Sequence, residues 1–151
     1  MRFLIQVVKK AHVDVDGATI GSIERGLLVF VGVCDADTRE TADKMVKKCV
    51  NLRIFEDENG KTNLSVGDVD GSMLVISQFT LYADCRKGNR PSFIKAGSPD
   101  HANELYEYIL KELSETYHIN TQSGSFGADM KVSLINDGPF TVMLDSEDLG
   151  A

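Results

Sequence analysis

The chain has 151 residues, enough for one domain with a buried core, and it contains no repeat or low-complexity segment. Its formal net charge of −7 argues against nonspecific binding to DNA or RNA, because affinity for phosphates comes mainly from lysine and arginine. The apolar run 3–8 is too short for a signal peptide or a membrane span and leads into Lys9-Lys10, so we expect a cytoplasmic protein.

The N-terminal part of the chain has the pattern of a β-meander. Asp16-Gly17 is a residue pair favoured in tight hairpin turns, and it stands between two runs of strand length. A continuous apolar run follows and is typical of a buried strand. The predicted strands are 2–8, 12–15, 18–23 and 27–33.

A helix is predicted after these strands. Residues 37–40 read Asp-Thr-Arg-Glu, which has the form of a capping box, and the helix should run to about Leu52. Its apolar residues recur at spacings of three and four, as expected for one buried face. They are Ala42, Met45, Val46 and Cys49.

The second half of the chain adds a turn, a long strand, a second helix and two final strands. Residues 57–61 read as a turn and 73–82 as one long strand. Ser98-Pro99 is typical of a helix N-terminus, and an apolar stripe from Ala102 to Tyr117 follows it. Residues 131–135 and 140–144 are the last predicted strands.

These elements predict a single α/β domain, residues 1–151, with a mostly antiparallel, curved sheet covered by two amphipathic helices. Strands outnumber helices, and most connections are short enough for hairpins. The C-terminal residues 145–151 are acidic, and we expect them to form a loose tail.

No cofactor or metal is expected. Three cysteines fit neither a disulfide framework nor a zinc site, and the three histidines stand alone in unrelated contexts. A cysteine nucleophile paired with a histidine is therefore poorly motivated. The cysteines are Cys34, Cys49 and Cys85.

The segment Ser77-Gln78-Phe79-Thr80 is the first candidate for chemistry. In a regular strand, Gln78 and Thr80 would share one face, and Ser77 and Phe79 the other. Neither hydroxyl has an evident base nearby, so a nucleophilic triad is not indicated. On its own, the segment is more typical of ordinary strand residues with satisfied hydroxyls.

The segment 136–141 is the second candidate. Gly138 can adopt backbone conformations closed to other residues, and Pro139 fixes its own φ. On its own, Asn-Asp-Gly-Pro between two strands indicates a hairpin turn with a trans peptide bond.

Four segments, 77–81, 90–93, 126–130 and 136–141, together closely resemble the D-aminoacyl-tRNA deacylases, also called D-tyrosyl-tRNA deacylases. The similarity in spacing and flanking residues runs over nearly the whole chain. It implies a barrel-like fold, a homodimer with sites at the subunit interface, and an aminoacyl-tRNA 3′ end as substrate. The expected reaction is hydrolysis of the ester between a D-amino acid, or glycine, and the terminal adenosine.

The resemblance also implies roles for the residues of the first segment. The backbone N–H groups of Phe79 and Thr80 would form an oxyanion hole, and Ser77 and Gln78 are also counted as catalytic residues. The ribose 2′-hydroxyl of the substrate would assist attack by water. Thr80 as a covalent nucleophile is the second-ranked alternative.

The second segment is implied to read chirality. A cis Gly138-Pro139 bond would reach into the partner's pocket and exclude L-side chains, with Asn136 and Thr141 also counted as substrate-binding residues. Members of the family usually have an arginine where this chain has Val7. If that arginine braces the Gly-Pro element, this chain must brace it differently.

Three further residues are candidates for binding the tRNA. Phe126 and Met130 suit the flat face of the terminal adenine, although each is also typical of a core position. Arg90, in a short basic loop, would meet acceptor-stem phosphates or else be a solvated residue.

Two other functions stay open on the residues alone. One is a noncatalytic module that binds aminoacyl-tRNA or a small amide in the same pocket. The other is a general small-ester hydrolase that uses Thr80 or Cys85 as nucleophile, for which the sequence offers no base.

Overall fold

Eight strands and two helices follow one another in a computed structural model that describes residues 1–151. The strands are β1 (Arg2–Val15), β2 (Ala18–Ile23), β3 (Gly26–Gly32), β4 (Phe55–Glu56), β5 (Thr62–Leu64), β6 (Ser72–Ser77), β7 (Thr121–Ser123) and β8 (Lys131–Asp145). The helices are α1 (Arg39–Asn51) and α2 (Pro99–Lys111). A 3-10 turn, Phe79–Tyr82, follows β6, and a π-helical turn, Glu112–Thr116, extends α2.

Six of the strands form one curved sheet. Strand β1 pairs antiparallel with β2, β3 and β8, whereas β6 pairs parallel with both β3 and β7. The parallel pairs arise because the chain crosses back through α1 before β6 and through α2 before β7. The predicted α/β domain with a barrel-like, mostly antiparallel sheet and two helices is confirmed, with these two parallel ladders as an added detail.

The sheet is buried on both faces. A main core of 22 buried residues lies between the sheet and the helices, and a second core of seven strand residues lies on the other face of the sheet. Leu27 and Val29 belong to the main core, while Leu28 between them belongs to the second. Burial on both faces explains why β3 and β6 are continuous apolar runs rather than alternating ones.

Strand β1 is longer than the sequence predicts. The two predicted strands 2–8 and 12–15 are one strand, whose register with β8 shifts on both sides of Val8. Val7 faces the main core, but Val13, at the same parity, faces the second core. The exposed Lys9 and Lys10 mark this irregularity, so the polar pair signals a change of face rather than a loop.

Helix α1 buries the predicted face, but its cap differs from the prediction. Thr38 is the N-cap, and its side chain accepts from the Thr41 N–H while the Thr41 hydroxyl accepts from the Thr38 N–H. The predicted Asp37–Glu40 box is wrong, because the Asp37 carboxylate is occupied elsewhere. It accepts from the Met1 ammonium and from the Cys34 N–H, both at 2.8 Å.

The C-terminal residues are packed, not loose as predicted. Ser146 is 3% exposed; its N–H donates to the Met1 carbonyl at 2.9 Å, and its hydroxyl accepts from the Met1 ammonium at 2.7 Å. Leu149 packs against the main core. No helix in this structure has the length and apolar character needed to cross a membrane.

Thr38→Ala should lower the free energy of unfolding by about 0.5–2 kcal/mol, because it removes the N-cap of α1. Glu40→Gln is the matched control and should change it by less than about 0.5 kcal/mol, since Glu40 is not part of the cap. Urea titration followed by circular dichroism measures both. A larger effect at Glu40 than at Thr38 would contradict the observed cap.

Candidate active site

The sheet ends earlier along β6 than the sequence predicts. The predicted strand 73–82 stops at Ser77, and the chain then enters the 3-10 turn, so the expected alternation of side chains at 77–80 does not apply. Gln78 donates the last bond to β3, from its N–H to the Val31 carbonyl at 2.8 Å. Beyond it, the turn packs on Gly32, where an added Cβ would lie only 3.0 Å from the Cβ of Leu81.

Two backbone amides at the start of the 3-10 turn are available to a ligand. The first hydrogen bond of the turn runs from the Leu81 N–H to the Gln78 carbonyl at 3.3 Å. The N–H groups of Phe79 and Thr80 precede it and have no acceptor within the turn. Both residues are exposed at the surface.

The side chain of Thr80 has no base beside it. Its hydroxyl oxygen accepts from the side-chain amide of Gln78, which carries no group able to take a proton at neutral pH. No carboxylate or imidazole is hydrogen-bonded to Thr80. The turn therefore offers donors for a developing negative charge but no activated nucleophile.

A cavity of about 560 Å³ opens beside this turn. Ser77, Gln78 and Phe79 lie on one side of it, and Phe126 and Met130 lie on another. Its lining is mainly apolar, which suits a flat or hydrophobic group. The structure thus brings together five of the predicted site residues from two distant parts of the chain.

The cavity is also lined by residues that were not among the predicted site residues. Phe93 packs edge-to-face on Phe79, with ring centroids 5.1 Å apart, and Ala96 and Gly97 add the segment leading into α2. Gly97 donates from its N–H to the Val33 carbonyl at 2.8 Å, so the segment lies tightly against the end of β3. The sequence predicts a helix start at Ser98-Pro99, but it does not predict that the residues before this start pack against the end of β3.

Strand β8 carries the second candidate segment as an extrusion. Gln6 pairs with Thr141 and Val8 with Asn136, so one β1 residue, Val7, faces the four residues 137–140. The predicted hairpin between two strands is therefore wrong, because β1 pairs with β8 on both sides of the extrusion. The Gly138-Pro139 bond is cis, as the family resemblance implied, and both residues are exposed.

A hydrogen-bond network closes the neck of the extrusion, which is formed by Asn136 and Thr141. The Asn136 side-chain amide donates to the carbonyls of Val7 and Phe140, both at 2.9 Å. Thr141 donates to the Asn136 side-chain oxygen at 3.4 Å and accepts from Gln6 at 3.2 Å. The Val7 side chain is buried in the main core, so only its carbonyl contributes. Asn136 thus supplies a brace that does not need an arginine at position 7.

The remaining predicted site residues lie outside the cavity of this chain. Asn136 and Thr141, at the two ends of the β8 extrusion, do not line the cavity, and neither do Gly138 and Pro139 between them. Thr80 and Arg90 are also outside its lining. One chain therefore presents a cavity beside the 3-10 turn and, separately, an exposed backbone extrusion.

The basic loop near the cavity is partly neutralised. An antiparallel bridge between Asp84 and Ser92 closes the loop, and Asp84 binds Arg86 at 2.7 Å and Lys95 at 3.8 Å. Hydrogen bonds from Arg86 hold the pKa of Asp84 well below its ordinary value. Arg90 has no carboxylate partner and is exposed, so its charge is free to meet an anion.

The cysteines do not form a reactive centre. All three are free thiols, and burial raises the pKa of Cys49 to about 12. Cys85 is exposed, Cys34 is half-buried, and neither is hydrogen-bonded to a histidine. No cluster of three or more histidine, cysteine, aspartate or glutamate residues could hold a metal ion.

Solved structures show that this fold is shared. One described as "c-Myc DNA Unwinding Element Binding Protein" has a TM-score of 0.91 and 41% identity, over 96% of this chain and 98% of that chain. Another, described as a probable eukaryotic D-amino acid tRNA deacylase, has a TM-score of 0.84 at 17% identity, over 95% and 97%. This chain thus shares its barrel-like fold with both proteins.

The sequence comparisons identify the family. The family model described as "D-Tyr-tRNA(Tyr) deacylase" matches residues 4–145. A D-aminoacyl-tRNA deacylase of Clostridium novyi is 55% identical over 147 residues, covering 97% of this chain and 98% of the relative. One of Thermosipho melanesiensis is 51% identical with the same coverage. The chain therefore belongs to the D-aminoacyl-tRNA deacylase family, a family of hydrolases.

Proposed function

We propose that this protein hydrolyses the ester bond between a D-amino acid, or glycine, and the 3′-terminal adenosine of tRNA. The products are the free amino acid and tRNA. The observation that carries the proposal is the pair of free backbone amides, those of Phe79 and Thr80, beside an apolar cavity. Membership of the family supplies the substrate class, and a tRNA substrate agrees with a cytoplasmic location.

The two amides act as the oxyanion hole. They donate to the ester carbonyl oxygen as it gains negative charge in the transition state, and removal of one such donor typically costs about 10²–10³ in kcat. Water is the nucleophile, assisted by the 2′-hydroxyl of the substrate. The Thr80 hydroxyl is not required, because its hydrogen bond to Gln78 offers no base that could activate it.

The cavity receives the terminal adenosine. Phe126 and Met130 supply flat and polarisable surfaces for the base, with Ser77 and Gln78 at the edge nearest the ester. Arg90 meets acceptor-stem phosphates, which gives a chain of net charge −7 a local cation where the tRNA arrives.

A second subunit completes the site. In a two-fold dimer, Gly138 and Pro139 of one subunit enter the cavity of the other, and two shared sites result. This arrangement is supported by the extrusion of β8, which is exposed and tied at its neck by Asn136 but lies outside its own cavity. Backbone atoms close to the substrate α-carbon leave no room for an L-side chain, whereas a D-side chain points outwards.

The first test compares D-tyrosyl-, L-tyrosyl- and glycyl-tRNA as substrates of the purified protein. We expect release of free D-tyrosine and glycine well above the spontaneous rate, and no release of L-tyrosine. Cleavage of both enantiomers would keep the hydrolase and discard the selective gate. If a folded protein cleaves none of them, the binding-module alternative replaces the proposal.

The oxyanion hole is tested by comparing Phe79→Pro with Phe79→Ala. Both remove the ring, but only proline removes the N–H. Proline is tolerated at the first position of a helical turn, and Phe79 is that position, directly after Gln78 (φ −144°, ψ 87°). The kcat of Phe79→Pro should be about 10²–10³ lower than that of Phe79→Ala. Thr80→Ala keeps its amide and should retain activity. Equal kcat values for the two Phe79 variants would contradict a role of the Phe79 N–H in the oxyanion hole.

The shared site is tested with mixed dimers. Asn136→Ala removes the bonds that close the extrusion, so this variant should cleave L-tyrosyl-tRNA as well as the D-ester. Excess inactive Phe79→Pro subunits should suppress the L-cleavage after subunit exchange, because they supply an intact extrusion to the intact cavity of the Asn136→Ala subunit. D-cleavage should persist. Unchanged L-cleavage in the exchanged mixture would mean that the extrusion serves its own subunit.

A further inference from the structure

Arg2 lies in a row of three residues that crosses the sheet beside the site. On β1 it pairs directly with Gly32 of β3 on one side and with Asp145 of β8 on the other. Directly paired residues project to the same face of a sheet. Because Gly32 has no side chain, the Arg2 side chain can extend across this position to the 3-10 turn that packs there.

The guanidinium of Arg2 makes three contacts at once. One terminal nitrogen donates to the Leu81 carbonyl at 2.8 Å, and Nε donates to the Asp145 carboxylate at 2.9 Å. The guanidinium carbon lies 4.6 Å from the centre of the Tyr82 ring. A planar group with fixed donor directions, held at three points, has little freedom to rotate.

These contacts restrain the 3-10 turn at its C-terminal end. The turn has only four residues, and Leu81 is separated from the Phe79 amide by a single residue. A short hydrogen-bonded turn moves as a unit, so a shift at the Leu81 carbonyl changes the direction of the amides at the other end. The turn packs against Gly32, and the hydrogen bond from Arg2 fixes the Leu81 carbonyl.

We propose that Arg2 is a positioning residue for the deacylation reaction. It orients the 3-10 turn so that the Phe79 and Thr80 amides point at the oxyanion, and it does not touch the substrate itself. This inference rests on the proposed function of those amides. The ion pair to Asp145 contributes by holding the guanidinium in place. Burial raises the pKa of that carboxyl, but hydrogen bonds from the Glu147 N–H and from Arg2 outweigh it and keep the pKa below its ordinary value.

Arg39 offers a matched control within the same chain. Its guanidinium also pairs with a carboxylate, Glu104 at 3.3 Å, and also lies over a tyrosine ring, Tyr108 at 5.0 Å. It sits on α1 and makes no contact with the 3-10 turn. Arg39→Met therefore removes the same kinds of interaction without affecting the site.

Arg2→Met should lower kcat for D-tyrosyl-tRNA by about tenfold or more, since misaligned oxyanion donors lose much of their effect, with KM changed less than about twofold. Arg39→Met should leave both constants at their wild-type values. Millimolar guanidinium should restore part of the kcat of Arg2→Ala but should not affect Arg39→Ala. Equal losses in the two methionine variants, or no loss in Arg2→Met, would overturn the inference.

A second readout does not depend on activity. In ¹⁵N-labelled protein, the amide resonances of Phe79 and Thr80 should shift in Arg2→Met, and they should stay unchanged in Arg39→Met. Unchanged amides in Arg2→Met would overturn the inference even if kcat falls. A wild-type protein without deacylase activity would instead reject the proposed function, and the resonances would still decide whether Arg2 orients the turn.

Discussion

Strand β1 has hydrogen-bonded neighbours along both of its edges, and both halves of the candidate site depend on that double pairing. On one edge it aligns β3, which in turn sets the parallel register of β6 and hence the place where the 3-10 turn starts. On the other edge it pairs with β8 before and after the extrusion. Arg2 of β1 contacts the 3-10 turn directly, and Gln6 and Val7 contact the residues that close the extrusion. A change in the register of β1 would therefore displace the amides and the extrusion together.

The chemistry of the site is mainly that of the backbone. The free amides of Phe79 and Thr80 and the exposed Gly138-Pro139 segment are main-chain groups, whereas the side chains around them position and enclose. Backbone groups gain precision only when the surrounding packing fixes them, because they have no rotamer of their own to adjust. The close approach of the turn to Gly32 and the Asn136 network provide that rigidity.

Charge is arranged to suit an acidic protein that acts on an acidic polymer. The net charge of −7 would repel tRNA over most of the surface, which favours approach at a local cation. In the loop closed by Asp84 and Ser92, Arg86 is held by Asp84, and Arg90 is left without a partner. The exposed Phe79 and Phe93 stand beside this loop at the cavity. An exposed cation and an apolar cavity thus lie at one place.

The sequence by itself determined the elements whose period reflects burial, together with the family. The buried positions of α1, the start of α2 and the apolar runs of β3 and β6 followed from spacing, and the four matched segments indicated the site. Only the tertiary structure decided where a strand ends or becomes irregular. Strand β6 ends at Ser77, where the following turn packs against Gly32. Residues 137–140 of β8 are extruded from the sheet, because β1 has only one residue, Val7, opposite these four. These features depend on which part of the backbone packs against or pairs with the segment. The spacing of apolar residues along the sequence contains no information about that partner.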